Sequence, residues 1–350
     1  GPHTQLTDLS SGNPAPDRLP DLNRYLSHIS RTPRLYGDAP VTPQLQRWAN
    51  AWMQEAMPAP GEIDLSSGAI DAIERLLCAH LLPGDSVAVE DPCFLSSISM
   101  LRYSGFTASP VGMDSEGMLP EMLELALSKG ARAVILTPRA HNPTGYSLSK
   151  ARAAALQKIL SRYPQVLVII DDHFALLSSA TWYPVISAQT LHWAVVRSMS
   201  KTLGPDLRLA FVASDTSTSA KLRLRLNSGS QWVSHLLQDL AYACLTDDDY
   251  QHTLAQTRQF YASQQHSLAQ ALRTQGIDNV IPGDGLNLWL PLATASQATA
   301  FALAKSGWLV REGEAFGVNA AAHGLRITLA TLDDSDITRL AADIQRALKP

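Results

Sequence analysis

The sequence predicts an α/β protein: a mostly parallel β-sheet covered by helices on both faces, followed by a smaller α+β lobe. Two observations carry this. Short apolar runs rich in β-branched residues, at 86–90, 132–137, 166–171, 193–198 and 209–213, alternate with helical stretches, and strands that alternate with longer helical patterns form parallel sheets buried on both sides. After Pro282 the texture changes to short strands at 288–290 and 325–330, a helix at 295–306 and a closing helix from Asp333. That shorter mixture reads as a lobe with its own small core.

Taken in order, the first forty residues are rich in Pro, Gly and Asp, show weak periodicity, and are expected to run along the surface until a helix begins near Thr42. Helices follow at 69–82, 120–129, 149–162 and 230–275, the last interrupted near Asp247-Asp248-Asp249. The organisation expected is an N-terminal segment over 1–40 that ends a linker and joins the small domain, a large domain over 41–275, and a small C-terminal domain over 276–350. No internal repeat or low-complexity tract interrupts it.

Bulk properties exclude several functions. With 350 residues, 45% hydrophobic and 17% charged, the chain can bury a large core. No apolar run approaches the ~20 residues of a membrane span, and Gly1-Pro2-His3-Thr4 has neither the charged nor the apolar region of a signal peptide. A soluble, cytoplasmic protein with no membrane contact is expected. Three cysteines without a CxxC, and ten histidines without an HExxH, point to neither a disulfide framework nor a metal site. A formal net charge of −4 supplies no electrostatic reason for these residues to hold DNA by themselves.

The strongest chemical signal is the run from Ser198 to Arg208, where Lys201 stands among hydroxyls with an arginine seven positions on. An amine captures an aldehyde only when unprotonated, and a lysine at a strand end beside a fixed cation suits that chemistry. Hydroxyls and a guanidinium suit a phosphate. The plain alternative is a surface lysine closing a buried strand. Other strand ends carry matching groups. Ser66-Ser67-Gly68-Ala69 opens a helix and favours an anion, or is simple helix capping. Asp171 ends the most apolar strand, where a carboxylate needs a cationic or hydrogen-bonded partner, and a pyridinium nitrogen is one such partner. Asn142, in His141-Asn142-Pro143-Thr144-Gly145, can offer an amide to a ring hydroxyl or a carboxylate, or merely shape a turn. Phe94, in Glu90-Asp91-Pro92-Cys93-Phe94, can stack on a planar ring or belong to the core. Arg326, a lone charge in an apolar strand, suits carboxylate capture or an internal salt bridge.

In this order, these residues resemble the fold-type I aminotransferases, which use pyridoxal 5'-phosphate (PLP), over nearly the whole chain. More narrowly, the chain resembles the effector-binding domain of MocR-type regulators of the GntR family. The resemblance implies that Lys201 carries PLP as a Schiff base and that Asp171 pairs with the pyridine nitrogen. It implies that Phe94 stacks on the ring and that Asn142 sits near the 3-hydroxyl. Gly68, Ala69, Ser198 and Arg208 would hold the phosphate, and Arg326, with Asn142, an effector or substrate carboxylate. Tyr36, in Leu35-Tyr36-Gly37-Asp38, matches a tyrosine that reaches the phosphate of a partner subunit, which implies a homodimer. His173 stands where the family usually places a tyrosine near the 3-oxygen, and Asn287 where the regulators often carry histidine. Both departures weigh against efficient transamination. The stretch Asp8-Leu9-Ser10-Ser11-Gly12-Asn13-Pro14 resembles the point where the regulators' linker ends, and the seven-residue step from Lys201 to Arg208 is their spacing. The function expected is a PLP-sensing regulator of vitamin B6 or amino-compound metabolism, with DNA contacted only through an N-terminal winged-helix domain outside these residues. A PLP-dependent aminotransferase acting on an amino acid is the alternative. The basic run Lys221-Leu222-Arg223-Leu224-Arg225 reads as a solvated helix face, or else as a docking surface for that domain or for phosphates.

Overall fold

The computed structural model describes residues 5–349; the stretch Gly1-Pro2-His3-Thr4, on which the signal-peptide reading rests, lies outside them. After a two-residue strand, β1 (Thr7–Asp8), the chain reaches α1 (Pro43–Met53). The Thr42 hydroxyl accepts from the Leu45 N–H, and Pro43 occupies a position where a helix has no hydrogen bond to lose.

The large sheet then forms from β2 (Glu62–Ser66), β3 (Ser86–Asp91), β4 (Thr107–Asp114), β5 (Gly117–Met118), β6 (Ala133–Leu136), β7 (Leu167–Asp171), β8 (His192–Ser198) and β9 (Ala210–Ser214). In space they lie in the order β2-β9-β8-β7-β6-β3-β4-β5. The five strands from β4 to β8 in that row are parallel; β9 runs antiparallel to β8, and β2 to β9. Helices α2 (Ala69–His80), α3 (Leu95–Tyr103), α4 (Pro120–Ser128), α5 (Lys150–Leu160), α6 (Thr216–Asn227), α7 (His235–Leu245) and α8 (Asp248–Thr274) complete this part. The apolar character of β7 follows from its place: Val168 and Ile170 enter the core on one face of the sheet, while Leu167 and Ile169 enter the core on the other. With neither face wet, no polar alternation survives.

The second lobe contains β10 (Asn287–Pro291), α9 (Gln297–Lys305), β11 (Trp308–Leu309), β12 (Arg311–Glu312), β13 (Gly324–Thr328) and α10 (Asp334–Ala347). Strands β10, β13 and β12 form an antiparallel sheet over a third core, which Leu9 joins from the N-terminal segment. Helix α8 crosses between cores: Tyr250, Leu254 and Tyr261 pack in the first, Leu268, Ala269 and Leu272 in the third. No helix among the described residues is long and apolar enough to cross a membrane.

Several elements differ from expectation. The helix expected from 230 starts only at His235, while the interruption expected near Asp247 is present, with Asp247 capping the second helix by accepting from the Asp249 N–H. Strand β4 escapes the sequence pattern because it holds Pro110 and Gly112 and only Val111 is fully buried. Helix α3, rich in serine and without a side-chain cap, is equally silent. The basic run lies on α6, whose Arg223 pairs with Asp64 and Glu62.

Candidate functional site

The C-terminal ends of β3, β6, β7 and β8 open onto a cleft of about 280 Å³. Ala69, Phe94, Asn142 and Asp171 line it together with His173, Ser198, Lys201 and Arg208. Ligands in open α/β sheets sit at this end of the strands.

At the floor, Asp171 is the last residue of β7, and its Oδ1 is buried without a hydrogen-bond partner among the described residues. Burial pushes its carboxyl up from the ordinary range, while the nearby His173 pulls the other way. Its neighbour Asp172 faces the opposite direction, held at 2.7 Å by Arg139 and at 3.0 Å by Arg197. Opposite Asp171, Lys201 donates from Nζ to the Gly12 carbonyl at 2.8 Å. Burial first, and the positive Arg326 second, draw its pKa down to about 8. The amine left when the proton departs this readily is a usable nucleophile near neutrality.

At one end of the cleft, Gly68 precedes α2 with φ 109° and ψ 166°, and no side chain caps the first turn of that helix. Arg208, itself in the left-handed region with φ 50°, lays its guanidinium so close that a Cβ on Gly68 would overlap Nη2. Free first-turn N–H groups, a guanidinium and the Ser198 and Ser200 hydroxyls make an anion cradle. Behind the lining residue Asn142, Arg326 donates from Nη1 to Asn142 Oδ1 at 3.1 Å and from Nη2 to the Ser10 carbonyl at 2.5 Å, leaving Nε without a partner among the described residues. Burial and Arg311 lower the pKa of Arg326 to about 10.

Phe94 stands half-exposed at the mouth, as the residue before α3. His173 uses Nε2 on the Ala140 carbonyl at 2.7 Å, so that nitrogen carries the proton and points at protein. Asn287 accepts from the Thr328 hydroxyl at 2.8 Å. Tyr36 is apart from this cleft; it is 86% exposed and packs edge-on against Trp232 with ring centroids 5.8 Å apart. Sequence reasoning missed the cleft hydroxyls of Ser96 and Thr137, which carry no pattern. It also passed over Glu90, a buried carboxyl behind the cleft that accepts from the Thr137 N–H and is pushed up to about 8 by burial. A charge closing an apolar run was the available signal.

The aminotransferase class I and II family matches residues 4–344, nearly the full length. The chain belongs to that family. Within it, the chain is 75% identical over 347 residues to the vitamin B6 salvage pathway transcriptional repressor PtsJ of Salmonella typhimurium, covering 99% of this chain and 80% of that protein. It is 28% identical to the uncharacterized HTH-type transcriptional regulator YdfD of Bacillus subtilis, over 65% of this chain and 48% of that protein. Among solved structures, kynurenine aminotransferase of Pyrococcus horikoshii superposes with a TM-score of 0.85 at 21% identity, covering 99% of this chain and 93% of that one. The α-aminoadipate aminotransferase LysN of Thermus thermophilus, solved with N-(5'-phosphopyridoxyl)-L-leucine, superposes with a TM-score of 0.81 at 22% identity, covering 98% and 92%. These likenesses establish the fold expected from the resemblance, fold-type I.

Proposed function

We propose that this chain is the PLP-binding effector and oligomerisation domain of a cytoplasmic, MocR-type transcriptional regulator of the GntR family that senses PLP and controls vitamin B6 metabolism. The observation that carries the reading is one cleft that holds both a buried carboxylate with a partnerless Oδ1 and a buried amine that deprotonates near pH 8. A buried unpaired carboxylate is unfavourable, and a protonated ring nitrogen removes the cost. Bound PLP would supply an aldehyde carbon and an electron-withdrawing ring.

The chain's own residues divide the work. Lys201 is assigned to capture the aldehyde and Asp171 to hold the ring nitrogen. Gly68, Ala69, Ser198 and Arg208 are assigned to the phosphate, Phe94 to the ring face, and Asn142 to the ring hydroxyl. Arg326, with Asn142, is assigned to an effector carboxylate. Tyr36 is assigned to the phosphate of a partner subunit in a homodimer; its exposure and its place outside this chain's own cleft suit that role.

Two features support a regulator over an aminotransferase. The Salmonella relative, 75% identical, is named a transcriptional repressor of vitamin B6 salvage. His173 has already given Nε2 to a backbone carbonyl, which leaves it a poor replacement for a tyrosine donor at the ring oxygen. DNA contact is assigned to a separate winged-helix segment, since these residues carry a net charge of −4.

The test is to add PLP, follow absorbance, and fix the product with borohydride. The adduct should map to Lys201 and vanish in Lys201→Ala. A panel of amino acids should then drive only slow half-transamination; turnover of ~1–1,000 per second would return the chain to the enzymes.

A further inference from the structure

The segment between Leu9 and Ala15 crosses from one lobe to the other beside the cleft, touching Lys201 of its lining. Before it, β1 pairs with β11 of the small lobe and Leu9 is fully buried in that lobe's core. After it, Ala15 packs in the large-lobe core, and its N–H donates to the Tyr261 hydroxyl at 3.0 Å. In between, two backbone carbonyls cap the two cations of the site: Gly12 O on Lys201 Nζ at 2.8 Å, and Ser10 O on Arg326 Nη2 at 2.5 Å. Gly12 donates its own N–H to Thr328 Oγ1 at 3.0 Å. It holds φ at +69°, and a Cβ there would lie 3.3 Å from Arg326 Nη2, so glycine lets the strap lie this close to the guanidinium.

We propose that residues 10–14 form a ligand-displaced strap that sets what the cleft takes: Gly12 O competes with an aldehyde for Lys201, and Ser10 O competes with a ligand carboxylate for Arg326. The idea rests on the assignment of PLP to this cleft, and it adds a regulation of that site. PLP alone frees one of the strap's two cationic anchors. PLP together with a carboxylate that has no amine to displace Lys201 frees both. Because the strap is continuous with the β1 and Leu9 anchorage in the small lobe, release at the cleft is felt at the lobe junction. The closed strap also lowers apparent affinity, since only the open fraction binds.

The experiment is hydrogen exchange, read by mass spectrometry on the peptide that contains residues 10–14 of the full chain, together with PLP affinity from absorbance titration. PLP should accelerate exchange in that peptide, and PLP with 4-methylpentanoate, the amine-free counterpart of leucine, should accelerate it further. Thr328→Val removes the acceptor of the Gly12 N–H without touching an assigned ligand contact, and it should tighten PLP about fivefold, the worth of one ordinary hydrogen bond. Exchange that PLP leaves unchanged or slows, or a Thr328→Val protein that binds PLP no tighter, overturns the strap. Equal exchange with PLP alone and with PLP plus 4-methylpentanoate overturns the Ser10 half. If PLP fails to bind at all, the cofactor assignment falls. Ligand-free Lys201→Met then decides the strap by itself: faster exchange at 10–14 supports it, and unchanged exchange refutes it.

Discussion

Replacing Gly68 by alanine tests the anion cradle at its tightest point. Gly68 lies at φ 109° and ψ 166°, a region open essentially to glycine alone, so an alanine there costs about 1–3 kcal/mol of stability. The new methyl also overlaps Arg208 Nη2, which must retreat by about 1 Å to reach ordinary contact distance. A guanidinium displaced that far loses a charge-assisted hydrogen bond worth about 1.5–3 kcal/mol, equivalent to about tenfold to 150-fold in affinity. Only a phosphorylated ligand feels this loss. Titration of wild type and Gly68→Ala with PLP and with pyridoxal, which lacks the phosphate, separates the effects. The preference for PLP over pyridoxal should shrink by that factor, while pyridoxal affinity changes little. A folded variant that keeps the full preference refutes the assignment of Gly68 and Arg208 to the phosphate.

Other expectations concern protons and lobe contacts. With the Lys201 amine at about 8, the unprotonated fraction rises roughly tenfold from pH 7 to pH 9, and the rate of PLP capture should follow; a hundredfold rise would mark an ordinary lysine. Glu90 is raised to about 8, chiefly by burial, so the folded state keeps a proton that the unfolded state releases near 4.5, and stability falls as pH rises through that window. Glu90→Gln should therefore raise the melting temperature over wild type by a margin that widens from about pH 5 to about pH 8.5; an equal margin at both counts against the buried neutral acid. Asp91 accepts from the N–H groups of Val318, Asn319 and Ala320 at 2.8, 3.1 and 3.0 Å, joining the large lobe to a small-lobe loop. Asp91→Ala should speed exchange at those three amides, and unchanged protection there would show that the loop is held elsewhere.

What the sequence makes legible follows from how each element is buried. Strands β3, β6, β7 and β8 lie inside a sheet covered on both faces, so their apolar runs are unbroken and their ends are marked by the first polar residue. Asp171 and Arg326 were legible for the same reason, as charges set against apolar surroundings, and Lys201 through the hydroxyls beside it and the arginine seven positions on. Strand β4 is partly exposed and contains Pro110 and Gly112, so composition argues against it. The strap is illegible on other grounds. Gly12 and Lys201 are 189 residues apart, and a backbone carbonyl has no side-chain signature by which a sequence could announce it.

The adjacent aspartates 171 and 172 show where pattern becomes geometry. Composition cannot say which one meets a ligand, since both close the same apolar run. Strand alternation can: successive side chains leave opposite faces, so one carboxylate reaches the cleft and the next must be satisfied elsewhere. Asp172 is satisfied, fully buried between the guanidinium groups of Arg139 and Arg197, with Trp52 and Trp182 against the Arg197 face at 4.8 and 5.3 Å. Asp171 lines the cleft, and its Oδ1 has no donor among the described residues. The difference in pairing, rather than the shared residue type, assigns the ring nitrogen to Asp171. Asp172→Asn should accordingly lower stability by weakening the arginine pair while leaving PLP affinity close to wild type, and Asp171→Asn should do the reverse. If the two variants exchanged these effects in parallel melts and PLP titrations, the alternation argument would fail, and with it the assignment of the ring.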